Sequence, residues 1–253
     1  MLVASGRGGS GTTLLCALLA VAAAGDGHRV VLVDGDDLVG PLAMLLGVTT
    51  RAGWQDLRGG RAMPADVATP VSTTLTLVAG GAPRVGAANG MSMSATERRA
   101  CMRRVSTLAE SADLVVVDCG SRLESVLASI TPHANERLVA VAAGSDPVSL
   151  ASTFALCKAV RARHASLSLD VLVNRHDANG AAPIFDAIDA GARGFLGTAV
   201  RFAGAVPNDS TLDAALRAGI AFPDAAAGSP AAVAAHDAVM RVIASASQLS
   251  QGA

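Results

Sequence analysis

GRGGSGTT, residues 6–13, stands between a short apolar run, MLVAS (1–5), and a longer one, LLCALLAVAAAG (14–25). Four of its eight residues are glycine. Glycine lets the backbone take a positive φ and come close to a ligand. The first turn of a helix adds unpaired N–H groups and the positive end of its dipole. The order strand, glycine-rich turn, helix therefore predicts a phosphate cradle. A tight turn that holds no ligand is the plainer alternative at this point.

The neighbouring segments extend the pattern. RVVLVD (29–34), LTLVAG (75–80), DLVVVDCG (113–120), RLVAVAAG (137–144), SLDVLVNR (168–175) and RFAGAVPND (201–209) are short, continuous apolar runs, most of them β-branched. Such runs lack alternation, as strands buried on both faces of a parallel sheet do. Alanine-rich helical stretches separate them. The β–α–β order predicts an α/β, doubly wound, mostly parallel sheet of about seven or eight strands flanked by helices. TERRACMRRVSTLAES (96–111) reads as one helix with its four arginines in water and Met102, Val105 and Leu108 inward. Residues 80–94 read as a loop. With neither repeat nor linker, the chain reads as a single domain, 1–253, closed by a C-terminal helix and tail, 230–253.

Composition narrows the function classes. The 253 residues carry 20 basic and 21 acidic side chains, for a net charge of −1. That balance argues against broad binding of nucleic acid, which needs many phosphates neutralised. Cys16, Cys101, Cys119 and Cys157 form no C-x-x-C and sit in apolar segments, so they read as buried, reduced thiols of a cytoplasmic protein. The five histidines are scattered and read as surface or capping residues rather than metal ligands. Residues 14–25 resemble a signal-peptide core in length, but a strand follows closely and a buried first helix is the better reading. One lysine, Lys158, stands against nineteen arginines.

Two phosphate-binding readings compete for residues 6–13. Gly6, Gly8 and Gly11 satisfy G-x-G-x-x-G, and Asp34 ends the next strand 23 residues after Gly11. That is the arrangement of an NAD(P) site, with the acid on a ribose hydroxyl. The same residues also align with G-K-G-G-x-G-K-T-T, the deviant P-loop. Beyond the loop come DGDD (34–37), LLGV (45–48), Asp118 after VVV, Asn174 in VNR, and GAVPND (204–209) followed by LDAALRAG. This ordered series resembles the MinD/ParA-type P-loop ATPases over nearly the whole chain. FPDAAAGSPAAVAAHDAV (222–239) is similar to the end of the FlhG-like members, which regulate flagellar number and placement.

The resemblance implies roles residue by residue. Gly8, Gly9, Ser10 and Gly11 would cradle the phosphates of ATP or ADP, with Thr12 in the same loop. Thr13 would bind Mg²⁺, and Asp118 would hold the metal's water shell. Asp36 would orient the attacking water, Asn174 would read adenine, and Pro207 would lie beside the ring. A protein partner is implied, flagellar or otherwise, and so is a homodimer that meets across the face of Arg7, Asp36 and residues 144–148. The C-terminal helix carries a single strong base, Arg241, which makes it weak as a membrane anchor.

The sequence also departs from the family pattern. The family places a lysine at the Arg7 position, reaching the partner subunit's phosphates, and another at the Thr12 position, neutralising the β- and γ-phosphates. Arginine can still meet a phosphate with two N–H groups, but threonine supplies no charge. Loss of such a contact costs on the order of a few kcal/mol, roughly a hundredfold in affinity or rate. The expectation is weak nucleotide binding with impaired hydrolysis. An active ATPase in which Arg7 compensates is the alternative.

Overall fold

In the computed structural model, which describes residues 1–37, 39–60, 62–81, 93–131 and 136–251, the apolar runs form eight strands. They are β1 (Leu2–Ser5), β2 (Val30–Asp34), β3 (Ala68–Pro70), β4 (Leu75–Val78), β5 (Leu114–Asp118), β6 (Arg137–Ala142), β7 (Ser168–Asn174) and β8 (Arg201–Val206). The sheet order is β3-β4-β2-β5-β1-β6-β7-β8, and every pair is parallel except β3 with β4. β1, β2 and β6 are buried along their whole length. Continuous burial is why their sequences carry no polar alternation.

Two apolar layers cover the sheet. α1 (Thr12–Gly25) packs on one face with α10 (Pro230–Gln251), joining Leu15, Leu18 and Leu19 to Phe222, Ala235 and Val239. α1 is buried on nearly all sides because alanine lets the sheet and α10 approach closely. Pro230 starts α10, and its alanines settle it against the domain. The opposite face carries α4 (Ala95–Val105), α5 (Leu123–Ser129), α6 (Pro147–Arg163) and α7 (Ala178–Leu196), with Met102, Val105, Val126, Cys157 and Ile184 in the core. Short helices α2 (Pro41–Leu45), α3 (Trp54–Leu57), α8 (Ser210–Arg217) and α9 (Phe222–Ala226) line the loops. All four cysteines are buried and unpaired.

Three expectations change. β3, a three-residue antiparallel edge strand ending in proline, is too short to be seen from apolar runs. The helix predicted over 96–111 ends at Val105 and continues as a 3₁₀ turn, Ser106–Ser111. Its arginines also do not all face water: Arg98 is 2% exposed. Residues 98, 101, 102 and 105 share one helical face, and Arg98 follows the apolar side because it finds a buried partner there. Most of the predicted loop at 80–94, and His133, lie outside the described residues.

Candidate functional site

Residues 6–13 link β1 to α1 at the C-terminal edge of the sheet, where open α/β sheets bind ligands. The turn is held from both sides. Ser5 and Ser10 donate their hydroxyls to the Arg7 carbonyl at 2.8 and 3.0 Å. Asn174 donates its side-chain N–H to the Ser10 carbonyl at 2.9 Å, and Arg175 donates to the Gly9 carbonyl at 2.8 Å. Gly11 caps α1 with φ 81°, and a Cβ there would stand 2.5 Å from Asn174 Nδ2. Gly6 packs so tightly on α6 that a Cβ would fall 2.1 Å from the Ser152 carbonyl oxygen. Gly8 and Gly9 border open space, with no atom closer than 3.8 Å to a Cβ added at either.

Thr12 occupies the place of the family's second lysine and turns inward. It is 7% exposed, and its hydroxyl donates to Ser5 Oγ at 3.0 Å. The relay Thr12–Ser5–Arg7 carbonyl stiffens the loop and presents no cation to it. Arg7 lies on the outside, 43% exposed, with its guanidinium 3.8 Å from the Asp146 carboxylate at the start of α6.

A cleft of about 270 Å³ opens on one side of the α1 N-terminus, bordered by Thr13, Asp36, Asp37, Arg98, Asp118 and Arg122. Asp118 accepts hydrogen bonds from the Thr13 hydroxyl and the Gly120 N–H, yet burial pushes its carboxyl above the usual range. Asp34 lies beside it, paired across β2 and β5 in register with Asp118. Burial raises the Asp34 carboxyl to about 7, against the hydrogen bonds it accepts from the N–H groups of Leu42 and Asp36. Asp36 itself is exposed at the rim, its carboxylate accepting the Val39 N–H at 3.1 Å. This oxygen-rich, acidic set suits a hard divalent cation such as Mg²⁺.

A second cleft, about 250 Å³, opens on the other side of the loop between Gly11, Leu14, Leu18, Asn174, Arg175 and Pro207. Its leucine and proline walls suit a flat base. The Asn174 amide is already occupied at both ends, since its oxygen accepts the Arg175 N–H at 3.0 Å. Two arginines of the site, Arg175 in this cleft and Arg98 in the first, escaped the sequence reading. Arg175 takes a positive φ of 67°, which no pattern of apolar residues discloses. Arg98 was legible in principle, from its helical register with Cys101, Met102 and Val105.

The structure therefore brings Arg7, Gly8, Gly9, Ser10, Gly11, Thr12, Thr13, Asp36, Asp118, Asn174 and Pro207 to one edge of the sheet. The NAD(P) alternative is corrected. In the dinucleotide-binding order β2 neighbours β1, whereas β5 separates them here. Asp34 is also fully buried and spends its oxygens on backbone N–H groups rather than a ribose. Among the described residues no cluster of histidine, cysteine and acidic side chains could hold a metal by itself, and no helix is long and apolar enough to cross a membrane.

Loop, sheet order and paired clefts define the P-loop NTPase fold of the MinD/ParA type. The septum site-determining protein MinD of Pyrococcus horikoshii, solved with Mg-ADP, superposes with a TM-score of 0.75 at 20% identity over 95% of both chains. The MinC:MinD cell division complex of Aquifex aeolicus gives 0.73 at 17% identity over 96% of both. The antiactivator FleN of Pseudomonas aeruginosa is 28% identical over 220 residues, 85% of this chain and 75% of FleN, in line with the likeness to FlhG-type members. The model of one family, described as cellulose biosynthesis protein BcsQ, matches residues 1–179, and the chain belongs to that family.

Proposed function

We propose that this protein is a cytoplasmic, MinD/FlhG-like regulator of flagellar or other cell-pole or division assembly that binds Mg-ATP and Mg-ADP weakly and hydrolyses ATP poorly or not at all. The observation that carries the reading is the inward-turned Thr12, whose hydroxyl is spent on Ser5. Backbone N–H groups of residues 8–11 and the α1 dipole hold the phosphates. Thr13 would bind the magnesium ion and Asp118 its water shell; when bound, the ion supplies screening of the phosphate charge. The base enters the cleft of Asn174 and Pro207. Asp36 aligns water. With no cation from residue 12, the loop itself supplies no side-chain charge to the β- and γ-phosphates inside the subunit.

Support for a regulator comes from the relatives: FleN is named an antiactivator and a MinD neighbour was solved with MinC. Val39 is exposed at 70% in the wall of the first cleft, and Arg7 in the loop and Val148 at the start of α6, 65% exposed, are open too, a composition suited to a homodimer or a protein partner. The rival is an active ATPase relying on Arg7, favoured by that residue's exposure at the loop. Turnover of Mg-ATP by wild type and Thr12→Lys separates them. The expected outcome is a gain on the order of a hundredfold for the lysine variant. Equal turnover would favour the rival. Absence of any calorimetric heat with either nucleotide would overturn nucleotide responsiveness altogether.

A further inference from the structure

The buried Arg98 belongs to no phosphate-binding motif, yet it reaches the loop that follows β2. Its guanidinium donates to the Gly35 carbonyl at 2.9 Å and pairs with the Asp37 carboxylate at 3.1 Å. Both side chains of that pair are below 5% exposed. Asp37 also accepts the Met93 N–H, which ties the loop to the start of α4. The same guanidinium lies 5.2 Å from the ring centre of Trp54, a fully buried residue and the sole tryptophan in the sequence. On the other side, Gly35 presses on β5 so closely that a Cβ would stand 1.8 Å from the Asp118 carbonyl oxygen. A contiguous path of packed and hydrogen-bonded groups thus runs Asp118–Gly35–Arg98–Trp54, and Asp36, exposed at the rim, stands between the two loop residues that Arg98 holds, Gly35 and Asp37.

We propose that Arg98 is a positioning residue that fixes the 35–37 loop, aims Asp36 at the Mg-nucleotide cleft, and passes occupancy of that cleft to α4 and Trp54. The inference rests on the nucleotide-site reading above. Asp36 and the loop backbone border the same cleft as Thr13 and Asp118 and would respond to a cation bound there. Arg98 moves with the loop because two of its N–H groups are committed to it. A shift of a charge lying over an indole ring alters the attraction between them and so alters the ring's emission.

The test uses the whole chain, with Mg-ATP and Mg-ADP as probes, calorimetry for affinity and Trp54 emission as the second readout. Wild type is expected to show an emission change that saturates with the calorimetric curve. Arg98→Met alone strands a buried carboxylate and risks the fold, so Arg98→Met is combined with Asp37→Asn, which leaves no lone charge. That pair is expected to bind about tenfold or more weakly and to lose the emission change. Arg98→Lys is expected to recover part of both. Wild type that binds nucleotide with Trp54 silent overturns the inference while leaving the site reading intact, and needs no variant to be seen. Unaltered affinity and emission in the paired variant overturn it too. No binding by wild type overturns the site reading, and the inference with it.

Discussion

At the scale of single residues, Gly11 and Asn174 show how little room the phosphate loop has. A non-glycine residue at φ 81° costs about 1 kcal/mol, and its Cβ would also drive into the Asn174 amide. Asn174→Ala by itself leaves the buried Ser10 carbonyl without its side-chain donor, a loss of about 1–3 kcal/mol. The two changes are expected to be non-additive, because removing the amide also removes the obstacle. Urea midpoints of Gly11→Ala, Asn174→Ala and the double variant measure this. A double variant as unstable as the sum of the two singles would mean that the contact across the loop is worth nothing. Gly11 was legible from the motif. The amide's role as a strut was not, because it joins residues 164 positions apart.

At the scale of elements, strands and helices were legible wherever apolar runs were long, and charge partners were not legible at all. Arg137 and Arg201 head β6 and β8 and Asp170 is the third residue of β7, each in apparent isolation, yet the sheet sets Asp170 between two guanidiniums, at 3.1 Å from Arg137 and 3.0 Å from Arg201. Arg137 also donates to the Val242 carbonyl at 2.6 Å, bolting α10 to the end of the sheet. Asp170→Ala strands buried Arg137 and is expected to cost about 3–5 kcal/mol; chemical denaturation reads it, and a cost below 1 kcal/mol would show Arg137 to be satisfied by α10 alone. The far side of α10 is tied more weakly. His236 meets the Asp26 carboxylate at 2.9 Å, where α1 ends, and that hydrogen bond raises the imidazole above its ordinary value. A raised imidazole makes its contribution in full below the unfolded value and loses it as pH rises through the folded one. Both side chains are about 40% exposed, so solvent leaves only a few tenths of a kcal/mol. Comparing His236→Gln with wild type should therefore show a small deficit at pH 5.5 that vanishes at pH 8.5.

At the scale of the whole molecule, the candidate site is one edge of a sheet, and what it does depends on what that edge meets. At this edge Arg7 is a side chain of the phosphate loop that carries a charge outward, while Thr12 turns its hydroxyl in. If Arg7 acts on a second subunit, nucleotide should assemble the protein without being consumed. Sizing at high protein concentration is then expected to show a shift toward dimer with Mg-ATP, even though turnover stays low. Arg7→Glu sets a carboxylate beside Asp146 and, in a symmetric dimer, repeats that repulsion on both sides. It should abolish the shift. The fold should scarcely notice, because the only ion pair Arg7 makes among the described residues is long and half exposed, and surface changes of this kind fall within about 0.5 kcal/mol. A dimer that persists in Arg7→Glu would move the interface away from the phosphate loop. A thermal midpoint that falls sharply would instead make Arg7 part of the fold, and the loss of dimer would then say nothing about contact between subunits. Unchanged stability with lost assembly is the one pairing that places the outward-facing arginine at the interface.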